Sequence, residues 1–189
     1  MGISNVVGID IVRNAAVDFA FEHTEFAIQE VVVDDKQCKG EEDDTSKLGK
    51  DIQTFKGNNL TILIGDLFKM PTNDRYDIIY DRASIVAIKP SLRQEYVNLM
   101  GILLQPGGSI LLVTLDRRTT TSTEAKNDGP PFSINGGEIR QLYETQSWVE
   151  SVRLLEEVND LITDEDAERW KKKGVLELYE LVFLIRKKK

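Results

Sequence analysis

The chain has 189 residues, of which 41% are hydrophobic and 30% are charged, and its formal net charge is −8. This length and composition are typical of one globular domain with its own core, so we expect a single domain over residues 1–189. An acidic chain repels a phosphate backbone, and no apolar stretch reaches the roughly 18 residues that a membrane span needs. We therefore expect neither a nucleic acid nor a membrane as a partner.

Histidine and cysteine are nearly absent from the sequence, which contains only His23 and Cys38. A single cysteine forms no disulfide within one chain and fits a reducing compartment, so we expect a cytoplasmic protein. The first residues show neither a basic segment nor a cleavage-like site, and we expect no signal peptide. One histidine without a cysteine cluster argues against a zinc site, a Ser-His-Asp triad and a Cys-His pair. Any chemistry must then use carboxylates, arginines, backbone groups or a cofactor.

The first part of the chain predicts two strands separated by a helix and an acidic loop. The run NVVGIDIV at residues 5–12 is apolar and β-branched, as in a buried parallel strand, and a short helix is predicted over residues 14–23. Residues 26–33 fit either a strand or an extension of that helix. Residues 34–51 include a run of acids, and we expect a mobile surface loop there. The next predicted strand is LTILI, at Leu60–Ile64.

The second part of the chain alternates strands with helices and ends on two strands. The predicted strands lie at residues 76–81, 109–115, 152–158 and 176–185. The predicted helices lie at residues 90–104, 134–145 and, in part, 161–173. The polar stretch at residues 116–131 is predicted to be a long loop. This order predicts an α/β sheet with helices on both faces, closed by an antiparallel pair of strands.

Three of the predicted strands end in acids. Asp10 ends the first strand, Asp66 follows LTILI, and Asp81 closes YDIIYD with Arg82 beside it. In open α/β sheets, ligands bind at the carboxyl ends of parallel strands, where an acid accepts hydrogen bonds from a ribose diol. A plainer interpretation exists for each: a helix cap for Asp10, a turn for Asp66, and a salt bridge for Asp81 and Arg82. Spacing alone leaves these alternatives open.

Two stretches of the sequence resemble one known family. Residues 76–90 read YDIIYDRASIVAIKP, and residues 129–132 read GPPF at the expected distance after the strand SILLVTL. Both are similar to the marks of the thiopurine S-methyltransferase family, whose members are class I enzymes that use S-adenosylmethionine. The LQPGG at residues 104–108 is similar to a turn between helix and strand that is common in this class. The resemblance runs from Val6 to the last strand and implies a Rossmann-like class I methyltransferase sheet.

The resemblance also implies roles for individual residues, although it implies no catalytic residue and no metal. Asp10 matches the acid that binds the cofactor ribose, and Asp66 and Leu67 match the pair beside the adenine. A rival alignment, in which residues 24–30 begin the helix after that acid, gives the ribose to Glu22. The residues implied on the substrate side are Arg82, which also lies beside the cofactor, Phe132, in a loop over the substrate pocket, and Arg169.

The activity that the resemblance implies is methyl transfer from S-adenosylmethionine to the sulfur of small aromatic or heterocyclic thiols. No exposed apolar stripe stands out in the sequence, so we expect a monomer. Halide and thiocyanate methyltransferases share GPPF but usually carry tyrosine where Arg82 stands, and they are the alternative. The family's first strand and glycine-rich turn have no counterpart before Asn5. We therefore expect an N-terminally truncated chain, whose sheet has a gap or rearranges between the strands that carry Asp10 and Asp66. A catalytically inactive truncated product is the remaining alternative.

Overall fold

The computed structural model describes residues 4–31, 52–118, 129–159, 167–172 and 174–189. The chain separates into two compact units, residues 1–72 and residues 73–189, and each is described by itself. The single domain expected over the whole chain stays a prediction. The acidic loop predicted at residues 34–51 lies outside the described residues, as do Cys38 and most of the polar loop predicted at residues 116–131.

The first unit is a four-stranded sheet with one helix. Its elements are β1 (Val6–Asp10), α1 (Arg13–Glu22), β2 (Gln29–Val31), β3 (Gln53–Gly57) and β4 (Leu60–Ile64), with short 3-10 turns at Thr24–Phe26 and Leu67–Lys69. The strand order is β1-β4-β3-β2. β1 and β4 are parallel, whereas β3 is antiparallel to both of its neighbours. The stretch at residues 26–33 therefore contains a strand rather than more helix.

The pairing of β1 with β4 excludes one of the two outcomes expected for these strands. They are hydrogen-bonded neighbours in register from Val6 opposite Leu60 to Asp10 opposite Ile64, so the expected gap between the strands that carry Asp10 and Asp66 is wrong. Parallel pairing of two β-branched runs brings their carboxyl ends together. Ala16 of α1 packs against this sheet with Phe55 and Ile64, and these three buried residues form the core of the unit.

The second unit is a mixed four-stranded sheet. Its strands are β5 (Tyr76–Arg82), β6 (Leu104–Arg118), β7 (Val149–Asn159) and β8 (Glu177–Lys187). Its helices are α2 (Ser84–Ala87), α3 (Arg93–Leu103), which follows a 3-10 turn at Pro90–Leu92, α4 (Gly136–Glu144) and α5 (Ala167–Lys172). The strand order is β5-β6-β8-β7, with β5 parallel to β6 and β8 antiparallel to both β6 and β7. The predicted antiparallel closing pair is confirmed.

The junction of α3 and β6 is built from the LQPGG stretch. The helix ends at Leu103, as the proline and glycines predict, but β6 already begins at Leu104 and includes them. Gly107 has a positive φ of 78°, a conformation that glycine adopts without steric cost. Lys187 of β8 donates from Nζ to the carbonyl oxygens of Gly101 and Leu104, which closes the carboxyl end of the helix.

Candidate functional site

Asp10 lies at the carboxyl end of β1 with its side chain exposed. One carboxylate oxygen accepts a hydrogen bond of 2.8 Å from the backbone N–H of Val12, which fixes the direction of the group. The residue that caps α1 is Val12, so the helix-cap interpretation of Asp10 is wrong. Glu22 is the last residue of the ten-residue α1, about 15 Å of helix beyond its start. The strand-end position therefore belongs to Asp10 and not to Glu22.

Asp66 and Leu67 follow β4 directly. The N–H of Gly65 donates to the carbonyl oxygen of Asp10 over 2.8 Å, so the ends of β1 and β4 are joined one residue before Asp66. The Asp66 carboxylate accepts a hydrogen bond of 3.0 Å from the N–H of Phe68 and caps the 3-10 turn that follows. Two exposed acids thus stand at neighbouring strand ends, each held by a local hydrogen bond.

Asp81 is buried, with 3% of its surface exposed. The sequence predicts instead either a charged pair of Asp81 and Arg82 that faces a cleft or a salt bridge between them. Its carboxylate accepts hydrogen bonds from the N–H of Ser84 at 2.8 Å and from the hydroxyl of Tyr96 at 2.5 Å. Burial raises the pKa of the Asp81 carboxyl, while these hydrogen bonds act in the opposite direction. Asp81 therefore links the turn into α2 to Tyr96 of α3.

Arg82 points away from this buried network. Its side chain is 68% exposed, and its nearest carboxylate contact, to Glu180 of β8, is 4.0 Å long. An exposed pair at that distance contributes little to stability. The predicted salt bridge between Asp81 and Arg82 is therefore replaced by a buried acid and an exposed guanidinium.

The two stretches that carried the family resemblance meet in the fold. The backbone N–H of Phe132, in GPPF, donates to the carbonyl oxygen of Val86, in the VAI stretch, over 2.6 Å. Val86 and its neighbour Ile85 are fully buried in the short helix α2, which begins after Ala83 at a positive φ of 63°. The turn after β5 thus leads into the helix whose Val86 carbonyl accepts from the GPPF segment.

The backbone after GPPF is held by two further elements. The N–H of Ile134 donates to the carbonyl oxygen of Leu115, and the Ser133 hydroxyl accepts from the N–H of Arg117, both from β6. Arg93, the first residue of α3, donates from Nη2 to the carbonyl oxygens of Phe132 and Ser133, at 3.0 Å and 3.2 Å. No sequence motif marks Arg93, whose one signal is its position just after VAIKP.

Arg169 belongs to α5, but its side chain lies outside the described part of the structure. Its neighbour Trp170 is described, and the guanidinium carbon of Arg117 lies 5.8 Å from the centre of the Trp170 ring. Arg117 contacts Ser133 through its backbone and Trp170 through its side chain. The structure thus connects the Phe132 segment to α5, while the role of Arg169 stays a prediction.

An open cavity of about 480 Å³ lies beside the amino end of α4. Arg118 lines it, with contacts of 2.9 Å to Asp116 and 2.6 Å to Glu157, and its guanidinium lies 3.9 Å from the centre of the Tyr179 ring. The charges in this cavity are engaged with one another. The residues that line it are Asp116, Arg118, Asn135, Gly136, Gly137, Leu154, Glu157 and Leu181.

Within the described residues, no group of three or more histidine, cysteine or acidic side chains is placed to hold a metal ion. Among the same residues, no helix is long and apolar enough to cross a membrane.

Solved structures define the class of fold. The chain is similar to phosphoethanolamine N-methyltransferase 2 from Haemonchus contortus, solved with S-adenosyl-L-methionine, at a TM-score of 0.59 and 16% identity over 98% of this chain and 44% of that one. It is also similar to the N-methyltransferase NodS from Bradyrhizobium japonicum, at a TM-score of 0.54 and 12% identity over 98% and 74%. The fold is that of the class I methyltransferases.

The sequence identifies the family within this class. The thiopurine S-methyltransferase (TPMT) family model matches residues 3–188, and the chain belongs to that family. A thiopurine S-methyltransferase of Legionella pneumophila is 31% identical over 97% of this chain and 72% of its own length. Relatives of the same name from Vibrio campbellii and Vibrio atlanticus are 39% and 38% identical over 72% and 70% of this chain. The matched part spans 57% and 55% of those two proteins.

Proposed function

We propose that this protein transfers a methyl group from S-adenosylmethionine to the sulfur of small aromatic or heterocyclic thiols. The observation that carries the proposal is the hydrogen bond between Phe132 and Val86, which joins the two family marks in one structure. Because the chain belongs to the thiopurine S-methyltransferase family and contains this segment, we expect it to act on the same class of substrate. The proposed substrate is a small molecule, and a monomer in the cytoplasm stays a prediction.

The cofactor side of the proposal rests on the first unit. The Asp10 carboxylate is exposed and held at a strand end, with one oxygen fixed by Val12, which fits a group that accepts hydrogen bonds from a ribose diol. Asp66 and Leu67 stand at the adjoining strand end, where a short turn suits an adenine edge. When bound, the cofactor supplies an electrophilic methyl group on a sulfonium. The acidic chain suits this cationic ligand.

The substrate side rests on the second unit. Arg82 offers an exposed guanidinium that we propose pairs with the thiolate or an acceptor nitrogen of its ring, and Arg169 has the same proposed role. Phe132 contributes an aromatic surface beside a heterocycle. Aromatic thiols ionise readily, so no strong general base is needed, and alignment of the reactants contributes roughly 7–11 kcal/mol. This agrees with a sequence that contains one histidine.

The proposal is tested by incubating the purified chain with S-adenosylmethionine and either thiophenol or iodide. We expect methyl phenyl sulfide to form and methyl iodide not to form. Methylation of iodide alone would replace the proposal by the halide alternative. A folded chain that methylates neither compound, although it binds S-adenosylhomocysteine in a calorimetric titration, would contradict the thiol substrate but not the cofactor. A folded chain that does not bind S-adenosylhomocysteine would contradict both.

A further inference from the structure

The geometry points to Arg93 as a positioning residue that sets the place of Phe132 against the thiol. This inference rests on the proposed function, because it assigns the Phe132 segment to the substrate side. Arg93 stands at the start of α3, so the inference concerns a residue that the family marks do not include. Three observations support this role: the burial of the Arg93 guanidinium, the two carbonyl groups that it holds, and the fit of the Phe132 ring on Gly129.

The first observation is that the guanidinium is buried and that no charged group among the described residues is in hydrogen-bond contact with it. Only 4% of the surface of Arg93 is exposed, and burial lowers its pKa while the nearby Glu138 opposes that shift. The Glu138 carboxylate accepts from the N–H of Asn135 and is engaged in the cap of α4. In the described part of the chain, the guanidinium donates to the carbonyl oxygens of Phe132 and Ser133, and Nε has no partner. Burial of a charge costs free energy unless hydrogen bonds compensate for the lost water. The hydrogen bonds to the two carbonyl oxygens therefore stabilise the Arg93 guanidinium in this position.

The second observation is that Arg93 completes the hold on a short segment. The N–H of Phe132 donates to Val86 and that of Ile134 to Leu115, while Arg93 takes the carbonyl oxygens of Phe132 and Ser133. The backbone from Phe132 to Ile134 is therefore fixed from α2, β6 and α3. Such preorganisation lowers the entropy that substrate binding must otherwise remove.

The third observation concerns the ring itself. A Cβ atom built on Gly129 would lie 2.7 Å from two carbon atoms of the Phe132 ring, so the ring lies directly on the glycine backbone. Phe132 is partly exposed, so part of the residue is accessible to a ligand. Its backbone is held by Arg93, and its ring rests on Gly129. Loss of Arg93 therefore releases the carbonyl side of the segment without removing any group that touches the thiol.

The test compares Arg93→Met with a matched control, Arg140→Met. Arg140 is also an arginine of the second unit that donates to a backbone carbonyl, of Val152 at 3.1 Å, but it lies on α4 and pairs with Glu144. Hydrogen exchange of the backbone amides at residues 132–134 is measured on the full chain, together with kcat and KM for thiophenol. For Arg93→Met we expect about tenfold faster exchange and a KM about tenfold higher, with kcat and the affinity for S-adenosylhomocysteine unchanged. The control should match the wild type in all four quantities.

Three results would overturn the inference: unchanged exchange at residues 132–134 in Arg93→Met, the same acceleration in Arg140→Met, or a fall in kcat at constant KM. If the methionine variant does not fold, Arg93→Lys is measured in the same way. A lysine ammonium lacks the planar fork of arginine, so its exchange should still exceed that of the wild type. If the wild-type chain methylates no thiol, the proposed function fails, and the exchange rates alone decide whether Arg93 holds the segment.

Discussion

The acids at the ends of β1 and β4 differ in kind from the segment around Phe132. Asp10 and Asp66 are exposed, and each accepts a hydrogen bond from the backbone N–H two residues ahead. The Phe132 segment is bonded to α2, α3 and β6, which are distant in sequence. A carboxylate held by a local hydrogen bond keeps its orientation when a ligand replaces water. A segment held by long-range hydrogen bonds depends instead on the packing of the elements to which it is bonded. Substitutions in the two regions should therefore have different consequences.

The largest effect on stability is expected at Asp81, which is hydrogen-bonded to the start of α2, the helix that holds the Phe132 segment. Asp81→Ala leaves the Tyr96 hydroxyl and the Ser84 N–H without their acceptor in a buried place. We expect a loss of roughly 2–4 kcal/mol in the free energy of unfolding, measured by urea denaturation. The control is Asp66→Ala, whose exposed carboxylate caps only a 3-10 turn and should cost about 1 kcal/mol or less. Equal losses for the two variants would remove the distinction between the regions.

In the first region, the largest effect is expected on ligand affinity. Asp10→Asn should weaken binding of S-adenosylhomocysteine by roughly tenfold to a hundredfold, because a charge-assisted contact to the ribose is lost. The matched control is Glu22→Gln, at the far end of α1, which should bind as the wild type does. Calorimetric titration measures both. Weaker binding by the Glu22 variant with Asp10→Asn unaffected would favour the rival alignment.

A smaller effect is expected where the ring of Phe132 rests. The methyl group in Gly129→Ala would collide with that ring and with the Phe132 backbone nitrogen, 2.8 Å away. Such overpacking costs about 1–3 kcal/mol, and we expect it to appear as a severalfold higher KM for thiophenol. Gly8→Ala is the matched control, since no atom lies within 4 Å of its added methyl group. A normal KM for the Gly129 variant would show that the position of the ring does not matter to the substrate.

The smallest effect is the pH dependence of the buried acid. Burial raises the pKa of Asp81 above its ordinary 3.8, so the folded protein binds this proton more tightly than the unfolded chain does. The associated stability is full below the unfolded pKa and is lost as pH rises through the folded pKa. The unfolding free energy of Asp81→Asn should fall less steeply over that interval than that of the wild type. Parallel curves from repeated urea titrations would contradict the raised pKa.

Much of the fold follows from local pattern. The strands at Leu60–Ile64 and Tyr76–Arg82 are predicted almost to the residue, because continuous β-branched runs have few alternatives. The sequence does not predict β3, because QTFKG lacks an apolar run and only Thr54 and Phe55 of this strand are buried. The short helix α2 was missed for a different reason: its four residues are too few to show a helical period.

The candidate site divides in the same way. The strand-end positions of Asp10 and Asp66 follow from where the apolar runs stop, so the sequence predicts them. The burial of Asp81 does not follow, since it depends on Tyr96 reaching across from α3. The burial of Arg93 does not follow from the sequence either, because an arginine at the start of a helix is typically solvated. Tertiary contacts that join distant elements are what the sequence pattern leaves out.

The most direct test of the account is one set of steady-state kinetics on Asp10→Asn and Arg93→Met beside the wild type. The KM for S-adenosylmethionine and the KM for thiophenol are measured for each. We expect a crossed pattern, in which the Asp10 variant raises only the KM for S-adenosylmethionine and the Arg93 variant raises only the KM for thiophenol. A rise of both constants in both variants, or a rise of the thiophenol KM in Asp10→Asn alone, would contradict the division of cofactor and substrate between the two regions.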